Sequence, residues 1–178
     1  MKKKIFSAMA LTAVLMGASC AKEDPAKPVD YSAPEKQATV TGKLVINENL
    51  TLSPQKYTAK EGITVIASVR YSSLNPSSSS SGAFSTSTTT NSKGEFTLTV
   101  PATEAGVSVS FAVNDIEGSQ TTSDTNKPKL PGGGYPTKVE QGKWSFDVPS
   151  KNVQSGQKVI LESVVGTFSQ LDSAGDDV

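Results

Sequence analysis

Residues 90–101 read Thr90-Asn91-Ser92-Lys93-Gly94-Glu95-Phe96-Thr97-Leu98-Thr99-Val100-Pro101. Phe96, Leu98 and Val100 alternate with Glu95, Thr97 and Thr99. A period of two sends successive side chains to opposite faces of a pleated strand, here one apolar and one wet. The Asn-Ser-Lys-Gly start supplies a turn. Gly94 takes the positive φ that a tight hairpin needs, and Phe96 then enters the core.

The same period recurs on both sides of this stretch. Val40, Leu44 and Ile46 share one face of a run that begins at Ala38, with Gly42 between them. Ile63, Val65, Ala67, Val69 and Tyr71 share a face opposite Thr64, Ser68 and Arg70. Val107, Val109, Phe111 and Val113 alternate with Ser108, Ser110 and Asn114, and Trp144, Phe146 and Val148 with Lys143, Ser145 and Asp147. The last run, Lys158 to Val165, is apolar on both faces and reads as an interior strand. Turn residues separate the runs at Glu61-Gly62, at Asp115 to Gly118 and at Ser155-Gly156. No segment carries a 3.6-residue period. Strands with one wet and one dry face pack as antiparallel sheets face to face, so the expectation is an all-β sandwich of about seven or eight strands.

Two segments interrupt the pattern. Residues 72–92 hold ten serines and four threonines. Ser77 to Ser81 is low-complexity, and Phe84 to Thr90 reads as a Thr-rich edge strand, because β-branched Thr suits an exposed pleat. Gly118 to Gly142, with Pro128, Pro131, Gly132, Gly133, Gly134 and Pro136, reads as a long loop of the kind that is functional when ordered.

The chain starts differently. Lys2, Lys3 and Lys4 precede an apolar run of twelve residues from Ile5 to Met16. A membrane-spanning helix needs roughly twenty, so the run fits a cleaved secretory signal. Gly17, Ala18 and Ser19 follow, and then Cys20, the one cysteine of the chain. This junction resembles a bacterial lipoprotein signal, which implies that Cys20 becomes the lipid-bearing first residue of the mature protein. Met16 stands where such signals more often carry Leu. Lys22-Glu23-Asp24 resembles the surface-export signal of lipoproteins in the Bacteroidota, which implies an outer-membrane protein facing the cell exterior. Residues 21–37 then carry Pro25, Pro28 and Pro34 among charged and small residues, a linker composition. Extended at about 3.1 Å per residue, it reaches roughly 50 Å. The expected organisation is a signal peptide at 1–19, the lipidated Cys and linker at 20–37, one β-sandwich domain at 38–170 and an acidic tail at 171–178.

Composition excludes much. Residues 1–19 hold three lysines and no acids, so the mature chain has 14 basic and 17 acidic residues, a formal net charge of −3. That is no footprint for nucleic acid. With one cysteine, no disulfide within the chain supports the fold. The chain has no histidine, which excludes Ser-His-Asp and Cys-His catalysis and the His-containing zinc sites. The expectation is no enzyme, no catalytic residue, no metal and no cofactor.

The stretch from Val40 to Phe111 resembles the carboxypeptidase regulatory-like domain, a prealbumin-like (transthyretin-like) sandwich. The resemblance rests on Thr41-Gly42-Lys43-Leu44, Gly62-Ile63-Thr64-Val65, the Thr90–Pro101 stretch and Val107 to Phe111. It implies a spacer, stabiliser or interaction module on an envelope protein. The hydrolases of the wider fold depend on histidines absent here.

Candidate contacts follow. Gly132-Gly133-Gly134-Tyr135-Pro136 presents Tyr135 on a loop, as a possible ligand contact. Trp144 reads as core by its alternation rather than as a sugar platform. Asp172-Ser173-Ala174 resembles a Bacteroidota O-glycosylation acceptor, which implicates Ser173. The expected function is a lipid-anchored interaction module with an envelope protein partner. The alternative is a carbohydrate-binding lipoprotein of a glycan-uptake system, with Tyr135 stacking on sugar.

Overall fold

The computed structural model describes residues 36–76 and 81–171. Cys20, Lys22, Glu23, Asp24 and Ser173 lie outside the described residues, as do the linker up to residue 35 and most of the Ser77–Ser81 run. The described chain is an all-β sandwich. Its strands are β1 (Gln37–Ile46), β2 (Thr58–Ala59), β3 (Thr64–Arg70), β4 (Ala83–Thr89), β5 (Glu95–Pro101), β6 (Val107–Val113), β7 (Ile116–Ser123), β8 (Thr137–Ser145), β9 (Lys151–Val153), β10 (Lys158–Val165) and β11 (Thr167–Gln170). One four-residue helix, α1 (Tyr71–Leu74), follows β3 and exposes Tyr71, so Tyr71 leaves the face it was expected to share with Val69.

β1 is the spine of the first sheet. It pairs antiparallel with β5, from Gln37 opposite Pro101 to Lys43 opposite Glu95, and with β2 at Val45 and Ile46. On its other side it pairs parallel with β10. The second sheet has the order β4-β3-β6-β9 and is antiparallel throughout. β4 borders only β3, so Ala83–Thr89 is the Thr-rich edge strand that its composition dictates. Val40, Leu44, Leu98 and Val100 belong with Val65, Ala67, Val69 and Val109 to one buried cluster of the two sheets. Trp144, 1% exposed, is also in that cluster, as its alternation requires. Its ring centroid lies 5.0 Å from that of Phe168 at 55°.

Three further sequence expectations change. The Asn91–Gly94 turn forms as expected. Gly94 has φ +73°, its N–H donates to the Asn91 carbonyl at 2.8 Å, and Asn91 Oδ1 accepts from the N–H groups of Lys93 and Glu95, each at 2.9 Å. The strands it joins do not pair, however. β4 lies in the second sheet and β5 in the first, so the turn crosses the sandwich instead of closing a hairpin. The first sheet also claims Gly94. Its carbonyl accepts from Leu44 N–H at 2.9 Å, and a Cβ there would stand 2.4 Å from the Leu44 carbonyl oxygen.

Gly118–Gly142 is not a loop. β7 and β8 pair from Ile116 opposite Trp144 to Ser123 opposite Thr137, and only residues 124–136 are irregular. Ile116 to Gly118 is accordingly the start of a strand, and only Asn114 and Asp115 connect it to β6. β11 adds to β8 to make a third, three-stranded sheet. At Gly142 the chains approach so closely that a Cβ would lie 2.2 Å from the Ser169 carbonyl oxygen.

The third change is β10. It is not an interior strand. Among the described residues it pairs with β1 alone, so it is an edge.

Candidate functional site

Chain direction separates two ends of the sandwich. The described chain enters at Lys36, whose carbonyl accepts from Ala102 N–H at 2.8 Å, and Gly156 N–H donates to Gln37 at 2.7 Å. Residues 102–106 and 155–157 therefore surround the entry. β1 runs from there to Ile46, about 3.3 Å per residue. Beyond it Asn49 bridges Thr121 in parallel, so β7 continues in the same direction to Ser123. The 124–136 loop thus lies at the end farthest from the entry, beside the 47–57 loop.

Both distal loops are built, not slack. Gln120 Nε2 donates to the Asn47 carbonyl at 2.9 Å in a buried contact. The Asn47 side-chain amide bonds Gln55 Oε1, and Asn47 Oδ1 accepts from Asn49 N–H at 3.1 Å. Asn49 Oδ1 accepts from the Thr51 N–H at 3.0 Å, and Gln55 Nε2 donates to the Leu52 carbonyl at 3.0 Å. Such side-chain bonds to nearby backbone fix turns. In the other loop, Asp124 N–H donates to the Pro136 carbonyl at 2.7 Å and closes the base. Leu130 N–H donates to Gly134 at 2.7 Å and closes the tip, where Gly132 and Gly133 take φ +115° and +99°. Asp124, buried, accepts from Asn126 N–H at 3.2 Å and meets Lys127 Nζ at 3.6 Å.

These frames hold apolar side chains out toward water. Leu50, Leu52, Tyr57, Leu130, Tyr135 and Val139 are exposed, and all six belong to the distal loops or to β8 beside Thr121. Tyr135 is 37% exposed, and Lys129 Nζ stands 5.4 Å from its ring centroid, within cation–π range. The sequence pointed to Tyr135 and missed the other five. Tyr57, 52% exposed, is the more open aromatic ring. The signal available for it was an apolar residue outside any period-two run, next to the turn residues Ser53-Pro54-Gln55.

Ion pairs stand at this end. Lys60 Nζ lies 2.6 Å from Glu48 Oε1, and Lys138 Nζ lies 2.6 Å from Glu140 Oε1. The hydrogen bond from Lys60, aided by Thr58, outweighs partial burial and holds the Glu48 carboxyl below its ordinary range. The hydrogen bond to Glu140 lifts the Lys138 ammonium above its own. A depressed carboxyl stabilises the fold above its unfolded-state pKa, and that contribution is lost as pH falls through the lowered one. The pair is partly open to solvent, which screens it, so its effect on stability is small. The titration itself is measurable: in Lys60→Met the Glu48 midpoint, followed by NMR, rises toward the ordinary carboxylate value.

Among the described residues no three His, Cys, Asp or Glu side chains gather as metal ligands would. Exposed Leu, Tyr and Val with ion pairs beside them suit non-covalent contact with another surface.

Comparison with known proteins adds little to this geometry. No family model matches the chain, and no curated protein matches it. Among solved structures the chain is similar to the major plantain pollen allergen, at 13% identity and a TM-score of 0.32, over 73% of this chain and 92% of that one. It is also similar to a 9R-lipoxygenase from Cyanothece, at 9% identity and a TM-score of 0.35, over 84% of this chain and 19% of that one. Likenesses at this level carry no argument about chemistry.

Proposed function

We propose that this chain is a lipid-anchored protein of the bacterial outer membrane, facing the cell exterior, whose prealbumin-like sandwich is a non-catalytic interaction module. The observation that carries the reading is the junction Met16–Asp24, where the sole cysteine follows a basic start, a short apolar run and three small residues. The missing histidines support the non-catalytic part. The direction of the chain supports the rest. A tether at Cys20 leads into the domain at Lys36, and the exposed Leu50, Leu52, Tyr57, Leu130 and Tyr135 belong to the opposite end, where a partner approaching from outside meets them first.

Site-specific photo-crosslinking in intact cells tests this. A crosslinker at Tyr57 or Tyr135 is expected to give a discrete protein adduct, and one at Glu104, beside the entry, is expected to give none. Equal labelling from both ends refutes distal recognition. A second reading, carbohydrate binding for glycan uptake, is favoured by two exposed aromatic rings at the distal end, since Tyr57 and Tyr135 offer faces for sugar stacking. It requires glycan-array binding that falls when both tyrosines become Ala, and crosslinkers at those positions that capture no protein.

A further inference from the structure

β10 has the composition of an interior strand and the position of an edge. Lys158, Ile160 and Glu162 face outward, while Val159 and Leu161 are buried. Ile160 is 78% exposed, the most open of the large apolar side chains described. The backbone edge that faces away from β1 is open as well. Thr39 N–H donates to the Gln157 carbonyl at 2.9 Å, and Thr41 Oγ1 donates to that of Val159 at 3.4 Å, so residues 157 and 159 turn their carbonyls toward β1. Strand alternation then turns the N–H and C=O of Lys158 and Ile160 away from it. An open crevice of about 560 Å³ lies between β10 and the segment carrying Asp147, Pro149 and Lys151.

We propose that the occupant of this edge is β10 of a second copy, paired antiparallel about a two-fold axis through Ile160. The charges select that partner and that register. With the axis at Ile160, Lys158 stands opposite Glu162 of the second copy, Glu162 opposite its Lys158, and the two Ile160 side chains meet between them. An axis at Lys158 or at Glu162 sets like charges face to face, which is destabilising. In the Ile160 register, each Ile160 N–H donates to the other Ile160 carbonyl, a hydrogen-bonded antiparallel pair. The pairing also stops by itself. β10 carries a bulge just past Ile160, where Leu161 and Glu162 together stand opposite the single Gly42. A bulged edge resists open-ended sheet growth, and a two-fold contact consumes the β10 edge of both copies at once. The contact is separate from the distal loops and does not depend on them.

The test uses the full chain in its own membranes. In Ile160→Cys, two-fold pairing places the new thiols at Cα atoms about 5.5 Å apart, within disulfide range. Mild oxidation is expected to give a covalent homodimer. Wild type and Val139→Cys, an exposed position outside the contact, are expected to give no covalent dimer. Adding Lys158→Glu to Ile160→Cys sets like charges opposite at both ends of the contact and is expected to cut the dimer about tenfold. Adding Glu162→Lys as well swaps the charges and restores it, which a chance collision or an unrelated partner cannot do. The proposal is overturned if Ile160→Cys gives no dimer, if it links to another protein instead, if Val139→Cys dimerises as readily, or if the swap fails to restore the yield.

Discussion

Trp144→Ala is expected to destabilise the domain by about 3 kcal/mol, a fall in melting temperature of roughly 10 °C. Trp144 is the largest of the fully buried side chains, and it sits near the end of β8, where the third sheet joins the core cluster of the other two. Truncation removes its contact with Phe168 and opens a cavity in the shared cluster. Large aromatic truncations in cores cost about 3–5 kcal/mol. The lower end is expected because the indole Nε1–H is buried with no hydrogen-bond partner among the described residues, so its removal also relieves a polar burial cost. Trp144→Phe separates the two effects. It keeps a ring against Phe168 and deletes the unpaired N–H, and it is expected to lose less than half as much as Ala. Trp144 is the one tryptophan of the chain, so the measurement is urea unfolding followed by circular dichroism of the strand band rather than by fluorescence. A loss under about 1 kcal/mol in Trp144→Ala would mean that the third sheet is not coupled to the core through this side chain.

The strands that were legible are those whose two faces differ. β1, β3, β5 and β6 lie against the core on one side and water on the other, and burial writes that difference into the sequence as period two. β7 and the outer half of β8 extend past the core, so Ser119, Thr121 and Thr122 on one strand and Lys138 and Glu140 on the other carry no apolar stripe. Their Gly and Pro neighbours therefore read as loop. β10 failed for the opposite reason. Apolar residues on both faces signal coverage, but composition does not say whether neighbours of the same chain or another copy provide it. At Asn91–Gly94 the residues dictated the turn itself, through an Asn carbonyl oxygen and a positive-φ Gly. Whether the flanking strands pair depends on long-range packing, with Leu44 fifty residues away in sequence from Gly94. The distal surface was half legible in the same way. Gly132-Gly133-Gly134-Tyr135-Pro136 announces a presented tyrosine. Leu50, Leu52 and Tyr57 are held outward by Asn47, Gln55 and Gln120, and the Gln120–Asn47 bond spans 73 residues of sequence.

Cys20→Ala is expected to abolish fatty-acid incorporation outright, the largest change that any single substitution in this chain should produce. The proposed anchor needs a thiol, because a thioether carries the lipid and Cys20 is the sole cysteine. Burial of an acyl chain contributes about 0.8 kcal/mol per CH₂, and one chain alone gives marginal, reversible attachment. Two or three chains on one residue make release negligible. Fractionation alone does not decide the matter. If processing at Ser19–Cys20 also fails in the variant, the uncut apolar run from Ile5 to Met16 keeps the protein at the membrane by a different route. Intact mass separates the two. The natural chain is expected to begin at residue 20 with the added mass of its acyl groups. The variant is expected either to retain residues 1–19 or to begin elsewhere, and in both cases to lack lipid. A natural protein that starts at another residue, or that keeps a free Cys20 thiol, removes the tether. The distal loops then lose their claim to face outward, since that claim follows from where the chain is held. The fold and the β10 pairing do not depend on the anchor and would stand.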